Sequence, residues 1–510
     1  MPAVRGGQLG GWARTTDTVD TGAPCAPKEL QTVGRWIYWS CGPTATAGVY
    51  DRTAKKNITV PSGEALLGDG YVVRHDTSTG ALLLTAFADG TATTRKIGDL
   101  AAGTAGLRGV TWTVDKFGGP AAYVDADKRI HLVSSGVATQ SLSAVESEVT
   151  DNAWESSAAS TPWWQWRGLL SKPAASWTAT LTSKATGAVV RTLSGGEVEG
   201  NLTAHWDTRD SKGALVPNGT YTFKLTARPA DGPGSALTVS RTVPVSVGAA
   251  VRHDFTNGGT WAPDGTGDVL TLSSSGVISY RPGNGTGAFG KAMSASGWPS
   301  SVTPVPFGDL NGDRRNDILV RFSSGELRVY RTMLGQAFIT STPHTSLGKG
   351  WNQYDVLTSP GDVSGDGRPD LITRNSSTGA VYLYKGTSSG KLSSRVKLYD
   401  NWKTYKKIVG VGDLNGDGIG DLIAQDKSNN LYRYTGTGRG TFKARVKLFS
   451  AWAGSYNAIV GVGDITGDGK ADIISRDTSG NLWRNNGNGK GSFGSRAKIA
   501  TGWQAYKGVF

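Results

Sequence analysis

The chain has 510 residues, including 72 glycines, 17 tryptophans and only two cysteines, and this length is enough for three to four domains. No run of 18 apolar residues occurs, which argues against a transmembrane helix. The glycines lack a three-residue period, and heptads are missing, which excludes collagen and coiled coils. Short apolar runs between turn residues predict an all-β protein.

The formal net charge is +13, from 54 Lys and Arg against 41 Asp and Glu. The basic residues are scattered, and no basic block is longer than Lys406–Lys407 or Arg314–Arg315. Specific nucleic-acid binding is therefore not expected. Loose attraction to anionic cell-wall or membrane polymers stays open, beside the simpler interpretation of a solvated basic surface.

The two cysteines, Cys25 and Cys41, lie sixteen residues apart near the N-terminus. Two neighbouring strands could bring them within disulfide reach, so a disulfide is predicted, with two buried free thiols as the alternative. A metal site would need more ligands than these two residues supply. The start of the sequence shows no apolar segment of the kind found in signal peptides.

Residues 1–160 read as a β region that resembles part of a propeller, with roughly three blade-like units of 30–45 residues. Three blades do not close a ring, so this region is expected to be a fragment of a longer propeller, through a truncated reading frame, a wrong start or completion by a partner. The predicted strands are Trp36–Cys41, Gly48–Asp51, Ile58–Val60, Tyr71–His75, Leu82–Phe87, Val110–Val114, Ala121–Val124 and Ile130–Val133.

Residues 161–248 have the frequent turns and short alternating strands of a β-sandwich. The stretch from Trp206 to Tyr221, with Asp207, Arg209 and Pro217-Asn218-Gly219, resembles the Ig-like domain of FlgD-type proteins. The resemblance implies a structural or assembly module. The run Trp163-Trp164-Gln165-Trp166 before it is expected to pack at a domain junction, with an exposed aromatic patch as the alternative.

The last part of the chain, 249–510, repeats with a period of about 50 residues. Five tryptophans are spaced 53, 51, 50 and 51 residues apart: Trp298, Trp351, Trp402, Trp452 and Trp503. Each unit reads as four short strands, which predicts propeller blades. Five units give a five-bladed propeller, or seven or eight blades if the N-terminal region contributes. The residues 506–510 match the start of a blade and are predicted to join the first unit near Val251–Phe255 and so close the ring.

An acidic loop recurs between the first two strands of each unit. Oxygen ligands stand at positions 1, 3, 5 and 9, a carbonyl at position 7, and in three of the loops a glycine at position 6, as at the start of an EF-hand loop. Ca²⁺ is therefore predicted, against the alternative of ordinary solvated turns. Arg314 replaces the glycine in the first loop, which is expected to bind more weakly, and a degenerate loop with an insertion lies at Asp254–Asp268. The predicted ligands are Asp309, Asn311, Asp313, Arg315, Asp317; Asp362, Ser364, Asp366, Arg368, Asp370; Asp413, Asn415, Asp417, Ile419, Asp421; and Asp464, Thr466, Asp468, Lys470, Asp472.

These repeats resemble FG-GAP/VCBS repeats, the integrin-type propeller repeats. The resemblance implies calcium in the acidic loops, blades that serve as extracellular binding or scaffold surfaces, and a secreted bacterial protein, although this chain shows no signal peptide. The Trp-x-x-Tyr spacing, at Trp402 and Tyr405 for example, also resembles five-bladed tachylectin-type lectins, a weaker match that Trp452 breaks.

The sequence offers little that predicts an enzyme. The five histidines are spread over three regions, and the Gly-x-Ser-x-Gly pattern at 386–390 lies in a turn that no helix follows. The predicted function is a non-enzymatic, calcium-binding module for adhesion or recognition, with a glycan or cell-surface polymer as ligand and the five repeat tryptophans as candidate ligand-binding residues. The alternatives are a scaffold for a protein partner and an appendage to a cell-wall enzyme.

Overall fold

The computed structural model describes residues 19–100, 106–150, 154–155, 162–232, 234–256, 262–333, 336–452 and 454–510. Within these ranges the chain forms β-strands and two single-turn 3₁₀ helices, Trp351–Gln353 and Trp503–Ala505, and no α-helix. The predicted all-β class is confirmed. The described part of the chain holds no helix with the length and apolar character needed to cross a membrane.

Three antiparallel sheets follow one another in the N-terminal region. Trp36 and Tyr38 pack between the first and second sheets, and Trp112 packs between the second and third. The strands are β1 (Glu29–Val33), β2 (Trp36–Ser40), β3 (Ala47–Asp51) and β4 (Lys56–Val60); β5 (Glu64–Gly68), β6 (Tyr71–His75), β7 (Ala81–Ala86) and β8 (Thr93–Asp99); and β9 (Trp112–Val114), β10 (Ala121–Val124) and β11 (Ile130–Val133).

Strands β1, β5 and β8 were not predicted from the sequence. β1 and β8 are edge strands with mostly polar, solvent-facing side chains, so they lack the apolar alternation that marks a strand. A disulfide joins Cys25 to Cys41 with 5.9 Å between the Cα atoms. It fixes the segment before β1 to the residue that follows β2.

Two packed sheets form the middle β-sandwich. The side chains of Trp164 and Trp166 are fully buried in its core, where Phe223 lies 4.7 Å from Trp164 between ring centroids. These two tryptophans therefore form neither an exposed patch nor a domain junction. The first sheet contains β12 (Ala144–Val149), β13 (Trp154–Glu155), β14 (Pro162–Leu170) and β17 (Asn201–Trp206); the second contains β15 (Ala174–Ser183), β16 (Val189–Gly195), β18 (Gly219–Pro229) and β19 (Leu237–Val245).

Five four-stranded antiparallel sheets make up the C-terminal part, each a blade. The first blade contains β20 (Val269–Ser273), β21 (Ile278–Arg281) and β22 (Met293–Ala295), completed by the last strand, β39 (Tyr506–Val509). The other blades are β23 (Thr303–Gly308), β24 (Asp317–Arg321), β25 (Leu327–Arg331) and β26 (His344–Ser346); β27 (Tyr354–Gly361), β28 (Asp370–Asn375), β29 (Val381–Tyr384) and β30 (Val396–Tyr399); β31 (Tyr405–Gly412), β32 (Asp421–Asp426), β33 (Leu431–Tyr434) and β34 (Val446–Phe449); and β35 (Tyr456–Gly463), β36 (Asp472–Asp477), β37 (Leu482–Gly487) and β38 (Phe493–Ala500).

The five blades close into a ring. An apolar cluster lies between each pair of neighbouring blades, including the fifth and the first, where Val460 and Trp503 pack with Val269 and Val509. The last strand pairs with β20 at Thr271–Ser273. The predicted contact near Val251–Phe255 is therefore corrected. That segment precedes the first blade and carries none of its strands.

The segment between sandwich and propeller is bonded to the ring. Arg252 reaches the inner strands of two blades, where its Nη2 donates to the carbonyls of Gly410 (3.1 Å) and Gly461 (3.3 Å). Nδ2 of Asn316 donates to the carbonyl of Val251 at 2.6 Å. These bonds attach the segment that follows the middle sandwich to the propeller, at the end that carries the acidic loop 309–317.

Candidate metal centres

Each acidic loop connects the first strand of a blade to the second. The first strands of neighbouring blades lie side by side, so the loops 309–317, 362–370, 413–421 and 464–472 gather at one end of the ring. The second residue of each loop is apolar and buried, and it anchors the loop: Leu310, Val363, Leu414 and Ile465.

The first aspartate folds each loop around its own carboxylate. In the loop of the fourth blade, Oδ1 of Asp413 accepts a hydrogen bond from the amide of Gly416 and Oδ2 accepts one from Gly418, both at 2.7 Å. The other loops repeat the pair of bonds at 2.7 Å, on Asp309, Asp362 and Asp464. The spacing Asp-x-x-Gly thus encodes one conformation four times.

The ninth residue of each loop is an aspartate that is almost fully buried. Asp421 accepts hydrogen bonds from the amides of Leu414 (3.2 Å) and Gly436 (2.9 Å), so it connects the loop to the backbone at the end of the third strand of its blade. Asp370 and Asp472 do the same. Among the described residues, Oδ1 of Asp317 is buried without a hydrogen-bond partner, which leaves an acceptor there for a further ligand.

Burial also changes the acidity of these aspartates. It raises the pKa of Asp370, Asp421 and Asp472 to about 6, because the amide bonds only partly offset the cost of a buried charge. The pKa of Asp317 rises to about 8, again mainly through burial, with added repulsion from Asp313 and Asp309. A cation held beside these carboxylates would remove that cost.

The position-6 residue requires a left-handed backbone. Gly367, Gly418 and Gly469 have φ between 77° and 82°. Arg314 takes the same conformation with φ of 69°, which an L residue adopts only with strain. This is the physical basis for expecting weaker binding in the loop 309–317.

The remaining ligand positions are arranged as turns. The position-5 aspartates accept the amide of position 7 at 3.0 to 3.1 Å, as Asp417 does from Ile419. Positions 3 lie beside them, and Nδ2 of Asn415 donates to Asp417 at 2.9 Å. Over the described ranges, no three Asp, Glu, His or Cys side chains already converge on one point suited to a metal. The donor set is made of oxygen throughout, and it matches the chemistry of Ca²⁺.

The loops also connect neighbouring blades. The carbonyl of Val363 accepts the amide of Gly440 in the next blade at 2.8 Å, and the carbonyl of Leu414 accepts Gly491 at 2.9 Å. The carbonyl of Ile465 accepts Gly287 at 2.7 Å, across the closure of the ring. A loop that changes conformation would therefore disturb an interface between blades.

The first blade carries a fifth loop of the same design. Asp254 accepts the amides of Asp264 (2.9 Å) and Gly265 (2.8 Å), and the buried Asp268 accepts those of Phe255 and Gly283. The roles of positions 1, 5 and 9 are kept although six residues, 258–263, are inserted. The sequence indicates only a degenerate loop here, because the insertion breaks the spacing.

The five repeat tryptophans lie mainly inside the protein. Trp298, Trp351, Trp402 and Trp503 are 3 to 7% exposed, and Trp452 is half-buried. They pack between blades, so their ring faces are largely closed to a ligand. The aromatic residues that stay partly exposed in the last three blades include Tyr382, Tyr432 and Trp483, none of which is a predicted ligand-binding residue.

Comparisons with known protein families find two assignments. FG-GAP-like repeats match residues 309–373, 362–424 and 413–475, and the FlgD Ig-like domain matches residues 158–231. The chain thus carries FG-GAP-like repeats that include all four acidic loops, and a FlgD Ig-like domain that includes the middle sandwich's core tryptophans. No curated protein matches the sequence.

Solved structures give distant similarities. The BP39L lectin from Burkholderia pseudomallei aligns with 70% of this chain and 98% of its own, at 11% identity and a TM-score of 0.29. An auxiliary nutrient binding protein from Bacteroides thetaiotaomicron aligns over 70% of each chain at 10% identity, with a TM-score of 0.27. Scores this low transfer neither fold nor function from these proteins.

Proposed function

We propose that this protein is a non-enzymatic extracellular recognition module whose propeller is stabilised by Ca²⁺ and whose ligand is a glycan. The observation that carries the calcium part is the fourfold repetition of one loop, in which an amide-wrapped aspartate and a buried aspartate frame the same set of oxygen donors. Ordinary turns have no reason to bury a carboxylate at the same position in four blades.

In each loop, the carboxylates of positions 1, 5 and 9 and the carbonyl of position 7 would hold the ion. The ion would neutralise the buried aspartate and fix the connection between the first two strands. Because the loop also bonds to the next blade, an ion there would stabilise the ring as a whole. The disulfide Cys25–Cys41 supports a location in an oxidising compartment.

Thermal unfolding with and without EDTA tests the calcium part. A ligand that binds only the folded state stabilises it by about 2.7 kcal/mol per site at a hundredfold excess over Kd. EDTA is expected to lower the melting temperature of the propeller and to spare the middle sandwich. The variant Asp417→Asn should lose one ion and part of the shift, whereas Asp127→Asn, in an exposed turn, should change neither.

Elemental analysis that finds no metal, with melting indifferent to EDTA, would contradict the calcium part. A glycan array tests recognition. Saturable sugar binding supports it, whereas a blank array together with capture of one protein partner would favour a scaffold instead.

A further inference from the structure

The two outer strands of three neighbouring blades carry an aromatic ring, an arginine and a lysine at equivalent positions. In the third blade, the guanidinium of Arg395 lies 4.6 Å from the ring centre of Tyr382, and its Nη1 donates to the hydroxyl of Tyr354 at 3.0 Å. Lys397 is the direct cross-strand partner of Tyr382. Residues two apart on a strand share a face, so arginine and lysine stand on the same side as the ring.

The fourth and fifth blades repeat this arrangement closely. Arg445 lies 4.5 Å from the ring centre of Tyr432 and donates to Tyr405 at 2.7 Å, while Lys447 pairs with Tyr432. In the fifth blade, the corresponding distances are 4.3 Å from Arg496 to Trp483 and 3.3 Å from Arg496 to Tyr456, and Lys498 pairs with Trp483.

The arginines and lysines of this set are exposed. Arg496 and the three lysines lie on the outermost strands of their sheets, and Arg395 and Arg445 directly precede theirs. The ammonium of Lys397 also forms an ion pair with Asp400 at 2.6 Å. Each arginine is held by its ring and its tyrosine, so its remaining donors are fixed in direction. The corresponding positions of the first blade hold Ala292 and Ser294, and those of the second blade hold His344 and Ser346. The basic pairs therefore form one continuous arc over three blades, which we call the basic arc: Arg395, Lys397, Arg445, Lys447, Arg496 and Lys498.

We infer that the basic arc binds an acidic polysaccharide, with one carboxylate-bearing sugar at each blade. This inference rests on the proposed function, glycan recognition, and it names the chemical class of the glycan. A guanidinium and an ammonium side by side suit a carboxylate, and three such pairs in series suit a chain that repeats its charge. The carboxylates of Asp426 and Asp477 accept hydrogen bonds from Tyr432 and Trp483 and so help to fix these two rings.

Other ligands fit the basic arc less well. Single-stranded nucleic acids need free aromatic faces for stacking, and here arginines cover the rings. A protein interface needs a contiguous apolar centre, whereas the exposed apolar residues on these strands, Val396 and Val446, stand singly on separate blades. Basic residues on edge strands also prevent these strands from pairing with other molecules. If that were their only role, the basic arc would bind no ligand.

Binding of oligogalacturonate to the full chain, measured by calorimetry with and without calcium, tests this inference. The triple variant Lys397→Gln, Lys447→Gln, Lys498→Gln removes three charges and leaves the arginines in place. Its affinity is expected to fall about tenfold, as for three exposed ion pairs. The control Lys184→Gln, Lys212→Gln, Lys224→Gln loses the same charge from exposed positions of the middle sandwich and should retain its affinity.

Three outcomes would overturn the inference: absence of binding, equal losses in both variants, or equally tight binding of polyphosphate. Melting curves of both variants verify that they are folded. Neutral glycan hits without oligogalacturonate binding would overturn this inference alone and leave the proposed function standing. The converse result is also informative. If EDTA does not change the melting of the propeller, but oligogalacturonate binding is lost only in the variant of the basic arc, the inference about the basic arc is supported although the calcium part fails.

Discussion

Nη1 of Arg374 in the third blade donates a 3.0 Å hydrogen bond to the main-chain carbonyl of Trp402, at the beginning of the fourth. Arg321 and Arg476 make the same bond to Trp351 and Trp503, at 3.5 Å and 3.1 Å. In the fourth blade a glutamine takes over, and Nε2 of Gln425 donates to Trp452 at 2.6 Å. The Trp-x-x-Tyr spacing also fails at this blade boundary, where Tyr456 lies four residues after Trp452.

Replacement of Arg374 by alanine should destabilise the propeller by about 1–3 kcal/mol, because it leaves buried carbonyls without donors. Arg374→Gln should restore part of the loss, since Gln425 shows that an amide can reach the equivalent carbonyl. Denaturant unfolding measures both, with the exposed Arg439→Ala as control. Equal stability of the alanine variant and this control would show that the bond between blades contributes nothing.

Deletion of residues 506–510 should open the ring. Phe510 and Leu270 exchange two backbone hydrogen bonds, of 2.8 and 3.0 Å, and Val509 is buried between the fifth and first blades. The propeller transition is expected at a much lower temperature in calorimetry, while the sandwich transition stays. A chain extended by five glycine and serine residues controls for changes at the terminus. An unchanged melting temperature after the deletion would contradict closure.

Gly418→Ala should destabilise the metal-free propeller by about 1 kcal/mol, the cost of a left-handed backbone for an L residue. The effect comes from the backbone alone, because an added Cβ at Gly418 meets nothing within 4 Å. Gly196→Ala is the matched control, with equal space and no left-handed φ. Equal effects of the two substitutions would refute the proposed strain.

The metal-free propeller should become less stable as the pH rises from 5 to 7.5. The folded-state pKa of Asp370, Asp421 and Asp472, about 6, lies above the ordinary value of 3.8, so the folded state binds more protons than the unfolded state in between. Stability from these groups is complete below pH 4 and declines as the pH passes through about 6. Melting in EDTA across this range measures the slope, and Asp421→Asn should reduce it. A slope of opposite sign in EDTA would contradict this account.

Reduction of the disulfide Cys25–Cys41 should destabilise the N-terminal sheets by about 3 kcal/mol, the usual effect of closing a loop of this length. Peptide mapping without reduction should recover the two cysteines joined. Two free thiols in protein recovered from an oxidising medium would rule the bond out.

Much of the fold could be predicted because the same pattern recurs in each repeat, so that one repeat supports the interpretation of the others. The regular spacing of tryptophans and acidic loops fixed the blade length, and the loops gave the candidate ligands. The sequence indicates the fifth loop only as degenerate, because an insertion between Asp254 and Asp264 changes the spacing of its residues. The hydrogen bonds of the loop are kept nevertheless, since they depend on where the residues lie in the fold. Edge strands such as β8 could not be predicted, because side chains that are exposed on both faces of a strand do not alternate between apolar and polar.

The sequence by itself determined the all-β class, the period of the blades and the conformation of each acidic loop, because these depend on residues close together in the chain. Only the tertiary structure decided that β20 receives the last strand, that the repeat tryptophans are buried, and that Arg395, Arg445 and Arg496 stand on one arc. Those relations join residues of separate strands and blades, often far apart in sequence. They are fixed by the packing of neighbouring blades, which no local pattern records.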